Sequence, residues 1–139
     1  MKFYLDECVS YKVLEPLKRV FTDHEFLDYR STGLTGMKDI PLFDQMRFRG
    51  VDVFLTVDRS QLGNPAELAA IRAGGCHWVG FAAPSGRGVS LIARTGAMLL
   101  ETVSFISDNE PVVPTAYRPK ANGRQLHQLF TDVKPIGDL

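Results

Sequence analysis

Cysteine is scarce in this chain: only Cys8 and Cys76 occur among its 139 residues. Two thiols make no disulfide framework. Neither they nor His24, His77 and His127 stand at the spacing of a zinc site. Net charge is missing as well. Sixteen Lys and Arg balance sixteen Asp and Glu, so any contact with a polyanion must come from a local patch. No uninterrupted apolar run reaches the roughly 20 residues needed to cross a bilayer, and Asp6 follows Met1 too closely for a signal peptide. There is no internal repeat, low-complexity tract or linker. These absences argue against a disulfide-stapled secreted domain, a zinc module and a membrane span, and the expectation is a reducing, cytoplasmic setting. What remains is ordinary: 45% hydrophobic and 23% charged residues, the profile of a globular protein. The length fits a single domain, 1–139, which can bury roughly 70% of its extended surface without covalent help.

Hydrophobic patterning gives alternating elements. Phe3-Tyr4-Leu5 is a short apolar run that stops at Asp6-Glu7, as a buried strand ending in acids does. Ser10 is placed to cap a helix whose apolar face carries Val13, Leu14, Leu17, Val20 and Phe21, with Pro16 kinking it or shifting its start. His24 to Tyr29 reads as a second strand, and Ser31 to Lys38, with Gly33 and Gly36, as a loop. A second helix is predicted from Asp39 to Arg49, closed by Gly50, with Ile40, Phe43 and Met46 as apolar positions. Val51 to Val57 is the clearest strand, β-branched and nearly continuous, and it too meets an acid, Asp58. Asn64-Pro65-Ala66-Glu67 starts a third helix and Gly74-Gly75 ends it. His77 to Phe81 is a fourth strand, Pro84 to Gly88 a loop, and Ser90 to Ser107 the longest helix. In the tail, Asn122-Gly123 can close a C-terminal hairpin. The alternation predicts an α/β fold: a mainly parallel sheet with helices on both faces, a three-layer α/β/α sandwich.

Parallel sheets place ligands at the carboxyl ends of their strands. Asp6 and Asp58 each end a predicted strand, so both belong on that edge. If the two strands are close in the sheet, the carboxylates converge, and they repel unless a cation or proton lies between them. Asp39, after the glycine-containing loop, can add a third carboxylate. Hard oxygen ligands suit Mg²⁺ or Mn²⁺, which support phosphoryl hydrolysis. Each acid also has a plainer reading: Asp39 as a helix cap, Asp6 and Asp58 as caps of the turns after their strands, and Glu7 as a solvated neighbour that can serve as an outer ligand.

Three segments together resemble a known family. Phe3-Tyr4-Leu5-Asp6-Glu7-Cys8-Val9-Ser10 is similar to the opening strand, acidic pair and helix start of PIN-like domains. Gly33-Leu34-Thr35-Gly36-Met37-Lys38-Asp39-Ile40 resembles the family's loop with an acid at the next helix start, and Val53-Phe54-Leu55-Thr56-Val57-Asp58 its strand closing on Thr-x-Asp. The similarity covers roughly the first 80 residues, in order. It implies a sandwich with acids at one sheet edge, Mg²⁺ or Mn²⁺ held by Asp6, Asp39 and Asp58, support from Thr56, and hydrolysis of RNA phosphodiesters. It further implies the toxin of a toxin–antitoxin pair, as in VapC-type ribonucleases, with a protein antitoxin and a homodimer as partners. One departure stands out: where the family often carries a further acid, two residues past Asp58, this chain has Ser60. A neutral hydroxyl is a weaker ligand, so the second metal position is the one it weakens most, and Ser60 is at best a supporting residue.

For RNA phosphates, Arg59 beside Asp58 and the tail residues Arg118, Lys120 and Arg124 are candidates, with Tyr117 and Phe130 as stacking surfaces. The plainer reading is a solvated basic face. Two alternatives to hydrolysis stay open at this point. One is a non-catalytic PIN-like module that binds RNA or protein. The other is a receiver-like phosphoacceptor domain with Asp6-Glu7 and Asp58 as its acids, which lacks a hydroxyl at Ala82 or Ala83 and leaves Asp39 without a role.

Overall fold

The computed structural model describes residues 1–120. The expected hairpin at Asn122-Gly123, and with it Arg124 and Phe130, lie outside those residues. Among the described residues five parallel strands form the sheet: β1 (Lys2–Leu5), β2 (Glu25–Asp28), β3 (Val53–Thr56), β4 (His77–Gly80) and β5 (Ala116–Tyr117), in the order β2-β1-β3-β4-β5. The helices are α1 (Leu14–Val20), α2 (Tyr29–Thr32), α3 (Asp39–Phe48), α4 (Pro65–Gly74) and α5 (Gly88–Asp108). The expected α/β/α sandwich is what forms, with every described strand pairing parallel.

The two-residue period of the strands sorts the core into two layers. Phe3, Leu5, Val53, Leu55 and Val79 face α1 and α5, while Tyr4, Phe54 and Trp78 face α3 and α4. The central strand β3 is buried along its whole length, as a strand covered on both faces must be. Helix α5 spans 21 residues and is long and apolar enough to cross a membrane by length and composition. In this fold its stripe of Met98, Leu99, Val103 and Ile106 lies in the core against the sheet.

Local chemistry explains most boundaries. Pro16 falls in the first turn of α1, preceded by a 3-10 turn at Tyr11–Val13, so the helix starts later than Ser10 alone implies. Ser10 makes no side-chain cap. Val20 and Ile40, expected on buried faces, are exposed, and Leu42 joins Phe43 and Met46 in the core. Asn64 caps α4 through the amides of Ala66 and Glu67, Pro65 opens the helix, and Gly75 closes it at φ 74°.

The stretch expected as a loop from Ser31 begins instead inside α2, because Asp28 and Ser31 form a reciprocal capping box. Asp28 is buried and also accepts from Arg30 Nε at 2.7 Å, while the Arg30 guanidinium lies 3.6 Å from the centroid of the Tyr11 ring. Burial alone would raise the Asp28 carboxyl, but the Ser31 amide and Arg30 together hold it below its usual 3.8. The unfolded chain therefore binds the proton more readily. This carboxylate stabilises the fold above pH 3.8, and the contribution is lost as pH falls through the lower folded value. Arg30→Ala is expected to move the acid-unfolding midpoint to higher pH, read by circular dichroism.

Candidate active site

The chain passes from β1 to β2 on one side and to β3 on the other, so the direction of winding reverses between β1 and β3. Doubly wound sheets bind ligands in the crevice at such a switch point, outside the carboxyl ends of the strands. Asp6 follows β1 directly, and Asp58 lies two residues past the end of β3. The Asp6 amide extends the ladder by donating to Leu55 O at 2.9 Å.

Thr56 links the Asp6 carboxylate to the backbone of Asp58. Its hydroxyl, fully buried, donates to Asp6 Oδ2 at 2.7 Å and accepts from the Asp58 amide at 3.0 Å. Asp6 is 8% exposed, and its Oδ1 accepts from the Glu7 amide at 2.8 Å. The Cys8 thiol, on an otherwise exposed residue, reaches Asp6 Oδ2 at 3.2 Å and Thr56 Oγ1 at 3.3 Å. Burial raises the Cys8 thiol, which keeps it a neutral donor. Burial also raises the Asp6 carboxyl, against the lowering pull of Thr56, Cys8 and the Glu7 amide, and the charge of Asp39 adds to the rise.

Asp39 is the first residue of α3, and Lys38 occupies the cap position without a side-chain bond, so Asp39 does not cap this helix. Its Oδ2 accepts from Gln61 Nε2 at 3.1 Å, and Gln61 Oε1 in turn accepts from Trp78 Nε1 at 2.9 Å. Asp58 does cap: its Oδ1 accepts from the Ser60 amide at 2.9 Å and the Ser60 hydroxyl at 2.5 Å, starting the 3-10 turn Arg59–Gly63. One oxygen of Glu7 accepts from the Gly36 amide at 3.1 Å, which pins the glycine-containing loop beside the site.

A further acid enters that sequence reasoning placed only as a cap partner. Glu67 lines a cleft of about 430 Å³ with Lys38, Asp39, Ile40 and Pro41. Its carboxyl is raised, first by burial and then by the charges of Asp39 and Asp58. Gln61 and Cys8 were missed as well. Gln61 gave no local signal, although a core Trp that needs an acceptor for its N–H was a clue that some buried partner exists. Arg59 is exposed next to Asp58, and Arg118 and Lys120 are exposed just past β5, on the same carboxyl edge of the sheet as the acids.

The donor set can be weighed against a divalent cation. Among the described residues no three His, Cys, Asp or Glu side chains close into a complete ligand cluster. Mg²⁺, however, keeps several of its waters and takes only one or two carboxylates directly. The side chains of Asp6, Asp39, Asp58 and Glu67 offer carboxylate oxygens, the hard donors that such an ion takes. In donor chemistry the residues fit such an ion, while the described residues do not bring three of them to one point.

The fold defines a doubly wound parallel α/β protein with Asp6 and Asp58 at the carboxyl ends of the two strands that flank its switch point. Residues 1–83 match the family model of the PIN-like domain, and the chain belongs to that family. The matched segment runs from β1 through β4 and contains Asp6, Asp39, Asp58 and Glu67. No curated protein and no solved structure matches the chain.

Proposed function

We propose that this protein is a divalent-metal-dependent ribonuclease of the PIN-like family, acting on RNA phosphodiesters. The observation that carries the reading is the Thr56 hydroxyl, which bonds the Asp6 carboxylate and the Asp58 backbone amide across the switch point. Asp6, Asp39 and Asp58 would hold Mg²⁺ or Mn²⁺. Glu67 supplies a fourth carboxylate from the first turn of α4, in partial compensation for the acid that Ser60 replaces. Such an ion, when bound, neutralises charge on a phosphoryl group and acidifies water beside it. The chain's own residues do the rest. Thr56 orients Asp6, Ser60 orients Asp58, and Gln61 orients Asp39. Lys38 beside Asp39, Arg59 beside Asp58, and Arg118 and Lys120 past the edge strand β5 offer positive charge suited to RNA phosphates. Two free thiols agree with a cytosolic setting. The toxin of a toxin–antitoxin pair, with a protein antitoxin and a homodimeric assembly, belongs to the same reading.

The non-catalytic binding module is the competing outcome, and one assay separates the two. Wild-type protein is expected to cleave a single-stranded RNA with Mn²⁺ and to stop when the ion is chelated. Asp39→Asn should cut the rate on the order of 10²-fold. RNA bound but uncleaved at every Mn²⁺ concentration would replace the nuclease with the binding module. In a phosphoacceptor domain, Asp39→Asn would leave modification of Asp58 intact.

A further inference from the structure

We propose that Gln61 is a positioning residue that fixes the Asp39 carboxylate for cation binding and couples its occupancy to the indole of Trp78. The proposal rests on the acidic-site reading above and extends it to a residue outside the carboxylate set.

Gln61 is fully buried, yet both ends of its amide are engaged across the fold. The indole N–H of Trp78 can only donate, and an ionised carboxylate can only accept. The amide therefore has one permitted orientation: Oε1 toward Trp78 and Nε2 toward Asp39. Reversing it would set donor against donor at one end and acceptor against acceptor at the other. Neither partner tolerates the flip, so the amide is a rigid strut between the core and the acid.

The Trp78 end is fixed independently. Trp78 is 1% exposed and belongs to the core cluster under α3 and α4. Its ring lies against Gly80 of the same strand, so closely that a Cβ at position 80 would collide with the ring. Gly80 thus leaves space that the indole fills, and this sets the direction of its N–H. The other anchor of Gln61 is the 3-10 turn Arg59–Gly63, whose first turn is capped by Asp58. One short turn therefore carries an acid of the site outward and the strut for a second acid inward.

A cation on the carboxylate lone pairs that Gln61 leaves open would keep the Gln61 bond in place and change the field at the indole. Trp78 is the only tryptophan of the chain, so its emission reports on this one position. The full-length protein would be titrated with Mg²⁺ while Trp78 emission is read, and Mn²⁺ binding would be measured separately by the loss of the free-ion paramagnetic resonance signal. Wild type is expected to show a saturable emission change with Mg²⁺, and Asp39→Asn to lose it. Gln61→Met, checked for folding by circular dichroism, should bind Mn²⁺ about tenfold more weakly, the scale of losing an orienting partner of a metal ligand, and should lose the emission response. Trp78→Phe, which removes the anchor and leaves Gln61 in place, should weaken Mn²⁺ binding in the same direction. A purely structural Gln61 would lower stability and leave the affinity of the folded protein alone. Folded Gln61→Met or Trp78→Phe with wild-type Mn²⁺ affinity overturns the proposal, as does a wild-type emission that stays constant while Mn²⁺ is bound. If those results come with Mn²⁺-dependent RNA cleavage by wild type, only the positioning role fails. If wild type binds no Mn²⁺ at all, the acidic-site reading fails and takes the strut with it.

Discussion

Asp6→Asn is expected to abolish most RNA cleavage, by on the order of 10²–10³-fold, while leaving the protein folded and more heat-stable in metal-free buffer. The two effects share one cause. Asp6 is buried, it makes no salt bridge among the described residues, and burial together with the charge of Asp39 disfavours its ionised form. Its three donors, from Thr56, Cys8 and the Glu7 amide, only partly offset that penalty. A neutral side chain of the same shape removes the repulsion, so the melting temperature without metal should rise by a few degrees, roughly the shift that 1 kcal/mol produces in a domain of this size. The same substitution takes away a charge that would hold the cation. Added Mg²⁺ should then stabilise wild type and leave the variant unmoved. A variant that cleaves RNA at the wild-type rate would remove Asp6 from the mechanism. One that melts lower in metal-free buffer would show that the hydrogen bonds of the carboxylate outweigh its desolvation.

Thr56→Val should be the more damaging change to the fold. Valine fills the same space, so packing in β3 is retained and the effect isolates the hydroxyl. Without it, the buried Asp6 carboxylate loses its shortest donor and the Asp58 amide loses its acceptor. An unpaired buried polar group costs about 1–3 kcal/mol. Two such losses predict destabilisation of roughly 2–6 kcal/mol in a urea melt, with cleavage falling alongside. Thr56→Ser keeps the hydroxyl and should retain most of both. Equal stability of the Val and Ser variants would mean that the hub of the site is not the threonine oxygen.

The strands were legible because burial on both faces leaves a strong mark. Val53-Phe54-Leu55 admits no polar residue, and each of the first and third strands runs into an acid. Helix α4 was legible from its ends, since Asn64, Pro65 and Gly75 each answer a specific backbone need. The placement of Asp6 and Asp58 past the carboxyl ends of neighbouring strands followed from parallel topology once β1 and β3 were adjacent. What did not show was tertiary. Periodicity marks an apolar face but not where the neighbouring layer ends, and so Val20 and Ile40 face solvent. The capping box of α2 needs the Asp28 side chain to turn back from a strand end, where the glycines beyond it point to a loop. Glu67 looked complete as the partner of Asn64, which it contacts at 3.2 Å, and only folding brings it toward Asp39 and Asp58. Gln61 could be found only by asking what satisfies Trp78.

The Asp6–Thr56 bond closes across 50 positions of chain. Bringing such distant segments together carries a loop-closure cost that nothing local repays until β3 docks beside β1. A ribosome-bound chain that ends before β3 thus holds Asp6 and Asp39 but lacks the element that joins them. If the protein is the nuclease proposed above, chains that stop before β3 should leave the RNA around them intact.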